Sequence, residues 1–263
     1  MGGTFTETIN GAIMTDLVSG RQPVLEAIKS GRGIEKIFLQ YGIHGESISR
    51  IKRLAKQHSI PVVEVDRARF LEIATDSSAQ GVAALFESTR YEDVETILKA
   101  ASDRGEPPFL LILDEIEDPH NMGALIRTAE CAGVHGVVIP RHHSASVNET
   151  VVKASSGATF HVPIAKVANI ASTLEELKKA GVWIVGTASD GDRALYDADY
   201  KGAIAVVVGN EGKGMRRLVK ERCDFLVRIP LYGKLNSLNA SVAGALVMFE
   251  AARVRHLTGE RTA

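Results

Sequence analysis

The sequence predicts an α/β protein in two units, the second built on a parallel sheet covered on both faces. Three observations carry that expectation. From residue 109 onward, short runs rich in Val, Ile and Leu alternate with helical stretches. Those runs are apolar at successive positions, as strands buried on both faces are, rather than at every second one. The 263 residues leave room for two domains, and a break at Gly105, Pro107 and Pro108 offers a boundary.

The elements follow in order. "GRQPVLEAIKSG" reads as a helix stopping at Gly31, and "IEKIFLQ" as a short strand. "ESISRIKRLAKQHSI" puts Ile48, Ile51, Leu54 and Ala55 at helical spacing, with Arg50, Lys52, Arg53 and Lys56 turned outward. "PVVEVD" and "GVAALFE" read as strands. "YEDVETILKAASDRGEPP" adds a helix before the break. In the second half, "FLLILDEI" is a buried strand and "NMGALIRTAECAG" a helix ending at Gly133. "HGVVIP" is a strand, "SVNETVVKASSGA" a helix, and "FHVPIA" short and extended. "STLEELKKAG" is a helix with Ser172 or Thr173 as cap and a glycine stop. "VWIVGTAS", "AIAVVVGN" and "FLVRIP" are strands, with helical "MRRLVKERC" between the last two. A helix over 238–257 closes the chain. The expected division is a disordered tail over 1–16, a domain over 17–90, a linker over 91–106 and a second domain over 107–263.

Composition narrows the function. Hydrophobic residues at 45% and charged residues at 24% are globular values. A net charge of −1 excludes a generic polyanion binder, so any nucleic acid must be held by local patches. Two cysteines, Cys131 and Cys223, form neither a disulfide framework nor a Cys-x-x-Cys zinc pattern. They fit a reducing compartment, the cytoplasm. The eight histidines are scattered; His142 and His143 adjoin but have no third ligand at metal spacing, so no metal is expected. No apolar run reaches the ~20 residues that span a bilayer, so no membrane association is expected. The first residues lack the basic start and apolar segment of a secretory signal. Met1-Gly2 with Thr6 fits a loose myristoylation pattern, and Met14 is a possible second start.

In open α/β sheets ligands bind beyond the carboxyl ends of the strands, and three such ends are unusual here. After "LLILDEIEDP" come His120, Asn121, Met122 and Gly123, with Arg127 further along. After "AIAVVVG" comes Asn210-Glu211-Gly212-Lys213-Gly214. After "LVRIP" comes "LYGKLNSLNAS". The second lacks the Ser or Thr of a phosphate loop, and no turn carries the dinucleotide fingerprint. Glycines 209, 212 and 214 let backbone approach a flat ligand, or form a plain turn. In the third, Ser237 or Asn239 can cap the following helix. A cap uses one residue, whereas Asn236, Ser237, Asn239 and Ser241 are all offered. Free N–H groups there can also receive a carboxylate or an RNA phosphate. Ala243, Gly244 and Ala245 permit close packing of a ligand or of another helix. Asn121 and Arg127 are six residues apart, so their spacing does not put them side by side.

Taken in order, Asn121-x-Gly123-x-x-x-Arg127, "VVVGNEGKGM" and "IPLYGKLNSLNASVAGAL" resemble the three motifs of the SpoU class of SPOUT methyltransferases, over about residues 108–257. "SGRQPVLEAIKSGRGIEKIFL" resembles the ribosomal-protein-like RNA-binding domain of the branch that methylates guanosine 2′-oxygens in 23S rRNA. The resemblance implies a deep trefoil knot in the second domain, and a homodimer packed through the last helix. It implies S-adenosylmethionine as cofactor, held by Gly209, Asn210, Gly212, Gly214, Ile229, Leu231, Leu238 and Asn239. It gives Arg127 a role in activating the ribose oxygen, with Asn121, Glu211, Ser237 and Asn239 positioning it. A guanidinium holds its proton tightly, so binding the target phosphate and stabilising an oxyanion is an equal alternative. RNA, not DNA, is the implied partner. Its expected contacts are Arg50, Lys52, Arg53 and Lys56 in the first domain, and Arg141, Lys213, Arg216, Arg217 and Lys234 in the second. A tRNA ribose methyltransferase and a non-catalytic RNA-binding assembly protein are the alternatives. A dinucleotide-dependent oxidoreductase lacks its fingerprint here.

Overall fold

The computed structural model describes residues 15–31, 33–74, 79–87 and 91–257. The chain groups into two units, residues 1–89 and 90–263. The Met1-Gly2 pattern and Met14 lie outside the described residues, as does the expected tail up to position 14.

The first unit is a four-stranded mixed sheet in the order β1-β4-β2-β3. Its strands are β1 (Thr15–Ser19), β2 (Ile34–Gln40), β3 (Val62–Val65) and β4 (Val82–Glu87). β1 was not expected. It pairs antiparallel with β4 from Thr15 onward, so the expected tail is shortened by two residues that enter the sheet. Helices α1 (Arg21–Ser30) and α2 (Glu46–Gln57) pack on each other. A further helix not foreseen, α3 (Arg67–Ile73), is started by Asp66, whose carboxylate accepts from the Arg69 N–H. Its Phe70 is buried with Ala83 and Phe38.

The second unit holds a seven-stranded sheet in which every pairing is parallel. Its strands are β5 (Phe109–Asp114), β6 (Gly136–Pro140), β7 (Ile164–Val167), β8 (Trp183–Thr187), β9 (Arg193–Ala194), β10 (Ile204–Gly209) and β11 (Phe225–Arg228). The order is β7-β6-β5-β10-β8-β11-β9. Alternate residues face opposite sides, and both sides are apolar. Phe109, Leu111, Leu113, Val206 and Val208 share one core with α5 (Pro119–Cys131) and α9 (Ala240–Leu257). Leu110, Ile112, Ala205 and Val207 share the other with α4 (Val94–Asp103), α7 (Ile170–Lys179) and α8 (Arg217–Arg222). α6 (Glu149–Ala154) packs on α5.

Two sequence expectations are corrected. The stretch 91–106 is not a linker. Glu92 bridges to Ala165 beside β7, and Ile97 of α4 is buried in the second unit's core against Gly136. The apolar positions of α4 have an immediate partner there, and a free linker would expose them. The cap of α7 is Asn169, which accepts from the Ser172 N–H at 3.2 Å, rather than Ser172 or Thr173.

The chain runs outward from β5 through β6 to β7, crosses to β8, and later inserts β10 between β5 and β8. That reversal is where open α/β sheets bind ligands. Among the described residues no helix is long and apolar enough to cross a membrane.

Candidate functional site

A cleft of about 630 Å³ opens beyond the carboxyl ends of β8, β10 and β11, within the range usual for small-molecule sites. Four segments line it: 187–190, 208–215, Ile229 with Leu231, and 236–238, with Ala240 and Ala243 at the start of α9. Gly209, Asn210, Gly212, Gly214, Ile229, Leu231 and Leu238 therefore all border one space. So do residues that the sequence reading passed over: Thr187, Asp190, Met215 and Lys220. The signal was available, because "VWIVGTAS" is a fourth strand with its carboxyl end at the same edge. The buried hydroxyl oxygen of Thr187 has no hydrogen-bond partner among the described residues. Asp190 and Lys220 form an ion pair at 2.6 Å, and the Lys220 hydrogen bond holds the Asp190 carboxyl below its ordinary range.

The loop after β10 is a tight turn. Asn210 N–H donates to the Gly214 carbonyl at 3.1 Å, and Gly214 N–H donates back to Asn210 at 2.8 Å. Gly214 takes the left-handed conformation, with φ +68°. The turn folds directly over Gly209, where an added Cβ would lie 2.3 Å from the Met215 nitrogen. The Asn210 side chain is consumed internally. Its amide donates to the Glu115 carbonyl at 2.9 Å, and its oxygen accepts from the Gly212 and Lys213 N–H groups. Its backbone N–H is used by Gly214 as well, so Asn210 keeps for a ligand a second lone pair on its backbone carbonyl and one side-chain N–H.

The three motifs meet at one point. Asp118 caps α5 and Pro119 occupies its first turn, which puts Asn121 just inside the helix start. Asn121 is buried, and its amide donates to Glu211 Oε2 at 3.1 Å. Asn239 donates from Nδ2 to Asn121 Oδ1 at 2.9 Å and to Glu211 Oε1 at 3.1 Å. The Asn239 oxygen accepts from the N–H groups of Ser241 and Val242, and from the Ser241 hydroxyl at 2.5 Å. Asn239 is thus both the N-cap of α9 and a member of the site. One side-chain oxygen serves the helix while the amide nitrogen serves the cluster. The surplus of polar groups before α9 is explained by that division, with Asn236 and Ser237 left exposed on the cleft.

The polar-to-small transition at α9 separates just as finely. Ala243 lines the cleft. Gly244 lets α9 approach α5 and β10, since a Cβ there would meet Leu125 at 2.5 Å. Ala245 faces a second, shallower groove with Val242, Leu246, Phe249 and Tyr196.

Arg127 is not brought into the cluster. Six residues on a helix turn through about 600°, which leaves it on a different face from Asn121. Its guanidinium is exposed and makes no hydrogen bond or ion pair among the described residues. Three of the basic residues expected to meet RNA are already paired: Lys52 with Glu64, Arg217 with Glu221, and Arg216 with buried Asp114. Arg50, Arg53, Lys56, Arg141, Lys213 and Lys234 are exposed. Among the described residues no group of three or more His, Cys, Asp or Glu stands in metal-binding position.

Comparison with known proteins fits this geometry. The SpoU rRNA Methylase family matches residues 108–249, and the RNA 2′-O ribose methyltransferase substrate-binding domain matches residues 17–92. YacO of Bacillus subtilis, assigned to the TrmH family of tRNA/rRNA methyltransferases, is 43% identical over 93% of this chain and 98% of its own length. The crystal structure of the SpoU methyltransferase AviRb from Streptomyces viridochromogenes, in complex with AdoMet, superposes with a TM-score of 0.77 at 24% identity. That match covers 93% of this chain and 92% of AviRb, and it speaks to fold. An AdoMet-bound rRNA methyltransferase from Sinorhizobium meliloti superposes with a TM-score of 0.74 at 25% identity, over 91% of this chain and 87% of that one. With three motifs converging on one cleft and family matches over both units, the chain belongs to the SpoU rRNA methylase family of TrmH-type RNA methyltransferases.

Proposed function

We propose that the cleft takes S-adenosylmethionine and that the chain methylates a ribose 2′-oxygen of RNA, at a guanosine of 23S rRNA. The observation that carries this reading is the convergence of Asn121, Glu211 and Asn239, from three separate motifs, at the edge of a cleft lined by backbone and apolar groups. The residues fit the cofactor. Thr187 offers an unpaired buried hydroxyl beside the cleft. The turn packed over Gly209 presents backbone at a distance that any side chain there would destroy. Gly209, Gly212, Gly214 and the Asn210 backbone would hold the ligand by main-chain contacts, with Ile229, Leu231 and Leu238 against its apolar parts.

The cofactor would supply an electrophilic methyl group on a positively charged sulfur. The work of the chain is to align a ribose oxygen with it, and alignment is a large part of such a barrier. Glu211 is held from one side by two amides, and each carboxylate oxygen keeps a lone pair to accept from a ribose hydroxyl. Ser237, exposed on the cleft, is a second hydrogen-bonding group for the sugar. Arg127, outside the cluster and unpaired, suits the target phosphate better than proton abstraction from within the cluster. Arg50, Arg53, Lys56, Arg141, Lys213 and Lys234 would supply further phosphate contacts.

The reading extends to a homodimer through α9, whose Val242, Leu246 and Phe249 are exposed. Arg253, exposed and paired with Glu250, lines the same groove as those three, whereas Ala252 is buried. It extends also to a trefoil knot formed by the turn after β10 and the segment before α9, and to a cytoplasmic location.

The test is calorimetry with S-adenosylmethionine, followed by mapping of 2′-O-methyl groups in RNA from a deletion strain. Loss of one mark in 23S rRNA is the expected result, and a lost mark in tRNA would move the substrate to tRNA. A substrate with a 2′-deoxy target should bind and not react; its methylation at the normal rate would make the acceptor a base atom.

A further inference from the structure

Glu211 sits in a loop whose two ends are tied to the same place, the carboxyl end of β5. At the entrance, Asn210 donates its side-chain amide to the Glu115 carbonyl. Glu115 holds that carbonyl from a left-handed backbone, φ +60°, a conformation uncommon for a non-glycine residue. At the exit, Asp114 takes both the backbone and the side chain of Arg216. Its Oδ2 accepts from the Arg216 N–H at 2.8 Å. Its Oδ1 accepts from Nε at 2.8 Å and lies 2.6 Å from Nη2. Glu115 adds a carboxylate oxygen 3.5 Å from Nε.

Asp114 is 0% exposed, at the end of a strand that is otherwise entirely apolar. A buried carboxylate pays heavily in lost hydration, and a pairing cation only roughly repays it, so such a pair is weak evidence for stability and better evidence for a fixed geometry. What it fixes here is specific. Gly209 lies in register with Asp114 across the β5–β10 ladder. The loop therefore leaves the sheet beside Asp114, makes its turn, and is caught by Asp114 again at residue 216.

We propose that Asp114 and Arg216, with Asn210, are positioning residues for the methyl-transfer site. Together they clamp the loop 210–215 so that its backbone forms one wall of the cleft and Glu211 reaches Asn121 and Asn239. The cofactor part of this inference rests on the proposed function above; the clamp itself does not. Arg216 is accordingly a structural cation and not one of the RNA contacts that the sequence suggested.

The test uses the full chain and the variants Asp114→Asn, Arg216→Gln and Arg216→Lys. Without ligand, hydrogen exchange of the Gly212, Lys213 and Gly214 amides should speed by ~10-fold or more in Asp114→Asn and Arg216→Gln, as a local opening does. With ligand, Kd and KM for S-adenosylmethionine should rise ~10-fold or more while KM for RNA stays within about twofold, since a misplacement of about 1 Å is costly at a site. Arg216→Lys should recover part of both effects, keeping the charge and losing the fork. A merely structural pair would lower the melting temperature and the active fraction and leave both KM values alone. If Asp114→Asn does not fold, Arg216→Gln decides, because that side chain is 43% exposed. Unchanged loop exchange in Arg216→Gln overturns the clamp whatever the ligand does. A wild-type chain that keeps its loop protected but does not bind S-adenosylmethionine overturns the cofactor reading instead.

Discussion

Asn239 performs two tasks with opposite ends of one amide, and substitution can separate them. Alanine removes both. Losing the N-cap of α9 costs about 1 kcal/mol. Losing the donor to Asn121 and to the Glu211 carboxylate costs about 1 kcal/mol more, a typical net value for a hydrogen bond, because Glu211 is exposed. Asn239→Ala should therefore lose roughly 2 kcal/mol of stability. Aspartate keeps an acceptor for the Ser241 and Val242 N–H groups, and its charge suits a helix N-terminus by about 0.3–1 kcal/mol. Its second oxygen, however, replaces the donor that now stands 3.1 Å from Glu211 Oε1. Two carboxylates near that distance repel by about 1–5 kcal/mol, depending on how much water screens them. Glu211 can relieve the repulsion by swinging toward solvent, so the cost falls on the site and not on the helix.

Urea unfolding and single-turnover methylation, run on both variants, separate these contributions. Asn239→Asp should stay within about 1 kcal/mol of wild type, the helix cap being preserved. Its turnover should fall ~10²-fold, the scale on which positioned polar groups act. Asn239→Ala should lose turnover and stability together. If aspartate destabilises as much as alanine, the cap assignment is wrong. If aspartate retains turnover within about threefold, the Asn121–Glu211–Asn239 cluster is not the site.

Three further outcomes are expected. Gly209→Ala would push a methyl group into the Met215 backbone nitrogen and should destabilise by about 1–3 kcal/mol while weakening cofactor binding; calorimetry on the folded variant checks this, and normal affinity would remove Gly209 from the cradle. His135 is buried and accepts from the Phe109 N–H through Nδ1 at 3.0 Å, while Nε2 faces Glu106 at 2.9 Å. Burial pushes its pKa below 6.5 despite Glu106, so the unfolded chain binds the proton more tightly. The stabilising contribution is present above about pH 6.5 and is lost as pH falls through the lower, folded-state pKa, which melting curves of wild type and His135→Gln between neutral and mildly acidic pH should reveal as a slope absent from the variant. A charge on the exposed face of α9, Leu246→Lys, should convert a dimer to monomer in sedimentation without unfolding the chain, and a wild-type monomer at micromolar concentration would remove the proposed interface.

What was readable in the sequence is what short-range chemistry encodes. Continuous apolar runs such as 109–113 and 204–208 announce strands buried on both faces, whereas the Asp118 cap and Pro119 start the next helix two residues before the expected Asn121. Strand order is not written in periodicity, because nothing in 204–208 says that β10 slides between β5 and β8. Two-residue β9 and seven-residue α3 are too short to carry a period at all. In the site, the same distinction decides which residues were placed well. Asn121, Glu211 and Asn239 each looked ambiguous alone, since a helix residue, a turn residue and a cap all have ordinary roles. Their shared purpose is a contact between positions 90 and 118 residues apart. The family resemblance gives Asn210 to the ligand, yet an amide in a tight turn finds backbone partners first, and here it finds three. Asp114 passed unnoticed for the converse reason. A carboxylate at the end of an apolar strand reads as the beginning of a solvated turn, and the cation that keeps it buried lies 102 residues further on. A chain that folds back over its own strand ends pairs such distant groups, so residues that look peripheral in the sequence can be the ones that hold the site in register.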